Sequence, residues 1–362
     1  MSAMPSGGAR HRHRTPVAGP GARGLPAPTF AALDLGTNNC RLLVARPGLV
    51  GSALEGASPF VVVDAFSRIV RLGEGLSQSG ALSPSAMARA IEALKVCAAK
   101  LERRQVTVAR HVATEACRRA ANCDEFLARV KDETGLEIET ITTGEEAALA
   151  LAGCAPLLDR AQPEALVFDI GGGSTELMWA RLDAAGGEPE LVDFLSLPFG
   201  VMNLAERADC DCLSLEAFEG LVAQVRERIQ AFEARHDICA RIAEGSLQML
   251  GTSGTVTTLA GIRMGLACYD RSRVDGCHLD FAELRAVTSH LLALDCKARA
   301  LEPCIGPSRA DLVLAGCAIL EAICRTWPVG RLRVADRGVR EGILLTLMRG
   351  GVPSARPSVS AE

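Results

Sequence analysis

The chain has 362 residues, 48% apolar and 23% charged, with a net charge of −4. That size suits about two domains of roughly 150 residues, and the composition excludes a wholly disordered chain. Residues 1–28 hold Arg10, Arg12, Arg14 and Arg23 and no acid, so the body carries 35 basic against 43 acidic side chains, near −8, which argues against a dedicated nucleic-acid binder.

Residues 1–28, with His11 and His13 among the arginines, read as a disordered tail, and residues 351–362 as a flexible C-terminus. The N-terminal stretch lacks the apolar segment of a signal peptide, and no run of about 18 apolar residues suggests a membrane span. The 14 cysteines are scattered, several in apolar helical stretches (Cys97, Cys154, Cys317, Cys324), as expected for reduced thiols of a cytoplasmic protein. Cys210-x-Cys212 is a tight pair with no second Cys/His pair at zinc-finger spacing.

In chain order, the first feature is a hairpin over Phe30–Ala45, then a strand at Phe60–Ile69. Ser83-Pro84 is a helix start, because Ser caps and Pro suits the first helical position. Met87, Ile91, Leu94, Ala98 and Leu101 follow at helical spacing. Thr107–Val112 reads as a strand, Asn122-x-x-Glu125 as a capped helix ending near Gly135, and Leu136–Ile141 as an alternating strand. Thr143-x-x-Glu146 opens a helix running to about Cys154.

The pattern then restarts. Leu33-Asp34-Leu35-Gly36-Thr37-Asn38-Asn39-Cys40-Arg41 aligns without a gap on Phe168-Asp169-Ile170-Gly171-Gly172-Gly173-Ser174-Thr175-Glu176. Each copy reads as a β-hairpin with an acid and free backbone N–H groups at its tip. Ser214 caps a helix with Phe218, Leu221, Val222, Val225, Ile229 and Phe232 on one face. Gly251-Thr252-Ser253-Gly254-Thr255 marks a strand–loop–helix transition. Helices over Phe281–Leu294 and Ala310–Arg325, a strand at Leu332–Val334 and a helix over Val339–Met348 complete the chain. An internal duplication of one α/β domain, residues 29–150 and 151–338 with an interdomain cleft, explains this order. The final helix, about 339–349, is expected to pack back on the first domain.

Three Gly-rich loops suit a phosphate chain. Glycines permit close approach and positive φ, and successive N–H groups form an anion nest. The candidates are Gly36, Thr37, Asn38 and Asn39; Gly171, Gly172, Gly173, Ser174 and Thr175; and Gly251, Thr252, Ser253, Gly254 and Thr255, the last set at a helix N-terminus. A P-loop is excluded, because only Lys95, Lys100, Lys131 and Lys297 exist and none follows Gly. Asp169 and Glu176 end and begin paired strands, so both carboxylates can meet at one Mg2+ ion; their alternative roles are satisfying the turn and facing solvent. Glu146 is either a capping-box acid or a general base that takes a proton from water attacking phosphorus. Spacing alone does not choose between them.

These motifs resemble the exopolyphosphatase/guanosine pentaphosphate phosphohydrolase (Ppx/GppA) phosphatase family, over about Phe30 to Arg349. The resemblance rests on Asp34-Leu35-Gly36-Thr37-Asn38, Ala113-Thr114-Glu115-Ala116-Cys117-Arg118, Glu145-Glu146-Ala147, Asp169 to Glu176, Gly251 to Thr255, Tyr269 to Gly276 and Arg340-Glu341-Gly342. It implies two duplicated actin-like (ribonuclease H-like) domains of the superfamily of actin-like ATPases, sugar kinases and heat-shock chaperones. It also implies Glu146 as catalytic base, Asp169 and Glu176 as Mg2+ acids, and Arg118 at the phosphate chain. Ala148 stands where the family often has Arg, and Asn39 where Ser is common. The resemblance is to the short form, without the helical, HD-like C-terminal domain that helps longer members bind long polyphosphate.

The expected activity is Mg2+-dependent release of orthophosphate from inorganic polyphosphate. Guanosine pentaphosphate is the alternative substrate. An aromatic content of 4%, with one Tyr and two Trp, tilts toward a linear polyanion. Less favoured are a superfamily kinase and a non-catalytic polyphosphate binder. The expected partners include a second copy in a homodimer, but no nucleic acid and no membrane.

Overall fold

The structure, a computed structural model, describes residues 28–48, 59–207 and 213–350. The expected tails (apart from Pro28) and the pair Cys210 and Cys212 lie outside the described residues. The frame is two mixed sheets. The first joins β1 (Phe30–Leu35), β2 (Asn39–Pro47), β3 (Phe60–Ile69), β4 (Val108–Ala113) and β5 (Glu139–Thr140) in the order β3-β2-β1-β4-β5. The second joins β6 (Glu164–Ile170), β7 (Thr175–Arg181), β8 (Glu190–Leu197), β9 (Leu247–Thr252), β10 (His278–Asp280) and β11 (Arg331–Ala335) in the order β10-β11-β9-β6-β7-β8. In each sheet an antiparallel meander of three strands is extended by a parallel strand on the other side of the first. The repeated phrase is therefore a repeat of topology, and the fold is a pair of α/β units of like design.

Period-2 alternation sorts each strand between two cores. Ala31, Leu33 and Leu35 of β1 face an outer cluster with the helix Pro84–Arg103, while Phe30 and Ala32 face a central one. Leu166, Phe168 and Ile170 of β6 likewise face an outer cluster, with Ala165 and Val167 in the central one. Two helices, Thr143–Cys154 and Val339–Met348, fill the central layer between the sheets. They cross with almost no space between backbones. A Cβ on Gly153 would lie 2.1 Å from the Gly338 carbonyl oxygen, and one on Gly342 would lie 2.0 Å from that of Leu149. The final helix packs on the Thr143–Cys154 helix and on β1.

The Ser83 and Ser214 caps form as expected, accepting from Ala86 N–H and Ala217 N–H. The strand expected at Leu136–Ile141 shrinks to Glu139–Thr140, a short edge paired only with β4. Strand β8 is an addition, half-buried beside β7, whose interspersed charges hide its alternation. Among the described residues no helix is long and apolar enough to cross a membrane.

Gly342→Ala is expected to lower unfolding stability by about 1–3 kcal/mol, because the added methyl must displace backbone rather than a flexible side chain. Chemical denaturation measures this; an unchanged midpoint would mean that the two helices are not held in contact.

Candidate active site

The same alternation that builds the central core also builds the site. After Phe30 and Ala32, the next β1 residue on the inner face is Asp34; after Ala165 and Val167, the next on β6 is Asp169. Their cross-strand neighbours are Arg41 on β2 and Glu176 on β7. Apolar residues thus give way to charged ones at the same end of both inner faces. A cavity of about 130 Å³ opens there, lined by Asp34, Asn38, Arg41, Glu146, Asp169 and Arg309 among others. A neighbouring cavity of about 460 Å³ shares Asp34, Arg41, Asp169, Ser253, Gly254 and Arg309.

The two hairpin tips meet at this cleft and close with the same bond: Gly36 N–H donates to the Asn39 carbonyl and Gly171 N–H to that of Ser174, both at 2.9 Å. Their glycines do not have the conformation expected of an anion nest, since none of Gly36, Gly171, Gly172 and Gly173 has a left-handed φ. Close approach requires them instead. A Cβ on Gly172 would stand 3.0 Å from Asn38 Cβ, and one on Gly173 would stand 2.7 Å from Thr37 Oγ1. Donors remain: among the described residues, no acceptor takes the N–H groups of Thr37, Asn38, Gly172 and Gly173. Asn38 Oδ1 is buried and unpartnered as well.

The other proposed phosphate contacts divide. Asn38, Asn39, Gly171 and Gly172 line the first cavity, as do Ser253, Gly254 and Thr255. Ser174 is buried beneath the tip, and Thr175 donates its hydroxyl to the Phe199 carbonyl at 2.7 Å, so both serve the fold. Gly251 lies inside β9, where a Cβ would meet the Phe168 ring at 2.4 Å. Thr252 donates to the Arg337 carbonyl at 2.5 Å. The helix Gly254–Arg263 does not offer a row of free donors, because Ser253 Oγ accepts from Thr255 N–H at 3.1 Å and Val256 N–H at 3.2 Å. Ser253 holds φ at 147° to do so, a strained state for a residue with a side chain.

Glu146 is freed from capping. The cap of its helix is Thr142, whose hydroxyl accepts from Glu145 N–H at 3.1 Å, so the motif sits one residue earlier than expected. Glu146 instead meets Arg118, Nη1 to Oε2, at 2.7 Å. That contact is an ion pair without hydrogen-bond alignment; Nη1 donates to the Ile141 carbonyl at 3.0 Å, and Glu146 Oε2 is buried with no hydrogen bond. Arg118, expected at the phosphate chain, is therefore committed to Glu115, Glu146 and Ile141. The sequence could not show this, since the ion pair joins elements 28 residues apart.

Asp34 and Arg309 are site residues that sequence reasoning missed. Asp34 was legible as the partner of Asp169 in the repeat. Arg309 lies in a loop before the helix Val313–Thr326 and carries no local signal. Arg41 and Arg309 reach the cleft from opposite halves, and among the described residues neither makes an ion pair. Burial and the like charge of Arg41 lower the pKa of Arg309. In the wall of the larger cavity, Glu341 accepts from Gly338 N–H at 3.0 Å and from Arg271 at 2.9 Å, tying two quoted motifs together.

The carboxylates show a shortage of positive charge. Burial, then the charge of Glu146, pushes Asp169 up to about 7. Burial, then Asp169, pushes Glu176 up to about 7. Burial raises Asp34 against the pull of Arg41, and burial with Glu176 raises Glu146 well above the usual range against the pull of Arg118. Among the described residues no three His, Cys, Asp or Glu side chains converge as a ready metal cage. Magnesium does not need one, because it is usually bound through one or two carboxylates plus substrate phosphates. Asp169 lines both cavities and fits that role. Glu176 is 2% exposed, lines neither, and accepts from Ser196 Oγ at 3.0 Å, which places it behind Asp169.

The pattern of the Ppx/GppA phosphatase family matches residues 51–350. Exopolyphosphatase 2 of Mycobacterium tuberculosis is 32% identical over 327 residues, spanning 88% of this chain and 98% of that protein. The crystal structure of the Aquifex aeolicus Ppx/GppA family member is similar with a TM-score of 0.71 at 27% identity, over 90% of this chain and 99% of that one. An exopolyphosphatase-like protein gives a TM-score of 0.79 at 28% identity, over 89% and 99%. With the repeated hairpin, the cleft and the extended sequence match in agreement, the chain belongs to the Ppx/GppA phosphatase family.

Proposed function

We propose that the protein is an exopolyphosphatase that hydrolyses the terminal phosphoanhydride bond of inorganic polyphosphate and releases orthophosphate. The observation that carries this reading is the unpaired Arg41 and Arg309 at a cleft that also holds Glu146. Two half-buried arginines with no ion pair among the described residues favour an anion between them. Glu146, a buried carboxylate that makes an ion pair with Arg118 but accepts no hydrogen bond at Oε2, is the group beside that anion suited to act as base. Asn38 and Gly172, with free N–H groups, would hold phosphoryl oxygens, and Arg41 and Arg309 would hold the chain. Glu146 would orient water and accept its proton as the water oxygen bonds to phosphorus. The bridging P–O bond then breaks, and the shortened chain departs. Burial raises the proton affinity of Glu146, which suits a base, while Arg118 steadies its ionised form. Mg2+ would be held through Asp169, backed by Glu176 and near Asp34, and would supply neutralising charge to the phosphoryl oxygens.

The reading of guanosine pentaphosphate as substrate draws support from Ile170, Val201, Leu312 and Val313, which give the smaller cavity an apolar side suited to a base. Phosphate release from the nucleotide and from polyphosphate, compared at equal concentrations, decides between them; faster release from the nucleotide overturns the lead assignment.

Three outcomes are expected in Mg2+-containing phosphate-release assays and melting curves. Glu146→Gln should lose about 10²–10⁴ of turnover while melting as a folded protein; a folded variant with full turnover would return Glu146 to a structural role. Arg309→Met should raise KM for polyphosphate about 10- to 100-fold, the loss of one charge-assisted bond of about 1.5–3 kcal/mol; an unchanged KM removes Arg309 from the chain's path. Asp169→Asn should raise the metal-free melting temperature by about 2 °C or more, because one of several repelling buried carboxylates is gone, and should abolish the further rise that Mg2+ gives the parent protein. A Mg2+ shift that survives the substitution would place the ion elsewhere.

A further inference from the structure

The short helix Glu115–Arg119 holds a second acid that the proposed reaction does not use. Glu115 Oε2 accepts from Arg118 Nη2 at 3.0 Å and from its Nε at 3.3 Å. The same guanidinium meets Glu146 at 2.7 Å. The three side chains are 13%, 15% and 13% exposed, so solvent screens them little. Arg118 therefore serves two carboxylates, while the more exposed Arg119 stands 3.9 Å from the other oxygen of Glu115. An arginine owned by Glu146 alone would neutralise it and blunt its use as a base. Sharing that arginine with Glu115 leaves Glu146 anchored but only partly compensated.

Glu115 also touches the opposite half of the molecule. A Cβ on Gly173 would lie 3.0 Å from Glu115 Cγ, so the second hairpin tip rests on the methylenes of this side chain. Glu115 lines neither cavity, which separates it from the groups that would meet substrate.

We infer that Glu115 is a positioning residue for hydrolysis: it acts through Arg118 on Glu146 and sets that base in register with the Gly171–Ser174 tip. The inference rests on the reading of Glu146 as the general base. The plain alternative is a local staple, Glu115 and Arg118 three residues apart on one short helix.

A double-substitution cycle separates the two. Glu115→Gln, Arg118→Met and the pair are assayed for kcat and KM of phosphate release from polyphosphate with Mg2+, with a melting curve for each. Glu115→Gln is expected to lower kcat on the order of tenfold with KM within about twofold. In the Arg118→Met background the same change should alter kcat by less than about twofold, because the route to Glu146 is already cut. Should Glu115→Gln fail to fold, Glu115→Asp, which keeps the charge and shortens the reach, carries the same expectation. A parent-like kcat, an equal loss in both backgrounds, or a lowered melting temperature with intact turnover would overturn the inference. Glu146→Gln runs alongside. If it stays active, the base assignment falls and this inference with it. If it is inactive while Glu115→Gln matches the parent, only this inference falls.

Discussion

Gly172 and Gly173 have no room for side chains because Asn38 and Thr37 stand against them, and the rest of the site depends on that contact. It joins the tips of two hairpins from different halves of the chain. The crossing of Gly153 against Gly338 and of Gly342 against Leu149 is a second point of backbone contact, deeper in the central layer. Between these two points the inner faces of the sheets keep a fixed separation, and Asp34, Arg41 and Asp169 are presented to one space. Polar latches at the rim support the same arrangement: Arg71 pairs with Asp311 at 2.9 Å, and Glu206 accepts from Gly75 N–H at 3.0 Å and Ser77 Oγ at 3.2 Å. Packed interfaces of this kind shift between discrete arrangements rather than deform continuously. A site assembled from both halves is therefore sensitive to any change at the tips.

The electrostatics of the cleft follow from that assembly. Burial, reinforced by repulsion between acids, pushes Asp169 and Glu176 up to about 7 on one side. Arginine opposes arginine on the other, with Arg41 lowering the pKa of Arg309. A protein selected for stability alone would pair these charges with one another. Here Arg41 pulls on Asp34 and Asp169 without forming an ion pair with either, so the acids are only partly compensated. Under the proposed function, a divalent cation would relieve the first set and a polyanion the second. Interactions held ready before the substrate arrives need no reorganisation during phosphoryl transfer, where positioning and charge stabilisation supply most of the catalysis.

How much of this was legible in the sequence depended on whether the signal was local. The repeated hairpin was legible in its register and in the placing of its acids, which follow from period-2 alternation around a turn, but not in the bond that closes the turn. Helix starts at Ser83 and Ser214 were legible because a cap is a bond across three residues. The cap of the Glu146 helix was misplaced by one residue because Thr142 and Thr143 are adjacent and equally able to cap; the difference decides whether Glu146 is occupied or free. The glycines of the tips were legible as glycines but not in purpose, since close approach of another chain segment leaves the same mark as a positive φ. Arg118 and Arg309 were beyond local reading, because the partners of the first and the isolation of the second are set by tertiary structure.

The duplication also explains why the two halves of the site differ chemically. Aligned positions in the two tips hold Arg41 and Glu176, one a cation and the other an acid, each facing an aspartate across its hairpin. In the first half the Asp34–Arg41 pair is close to neutral and leaves Arg41 available to an anion. In the second half the Asp169–Glu176 pair is acid against acid, which is unfavourable unless a cation or a proton intervenes. In the proposed reaction, a single exchange of charge at one repeated position would turn one copy of a common hairpin toward phosphate and the other toward metal. Glu146 belongs to neither copy. It enters from the first turn of the helix Thr143–Cys154, whose glycine crossing with the final helix fixes its distance from both tips. The proposed base is therefore placed by the helix layer, and the proposed phosphate contacts mostly by the hairpin tips. That separation lets the base keep one position while the hairpins diverge.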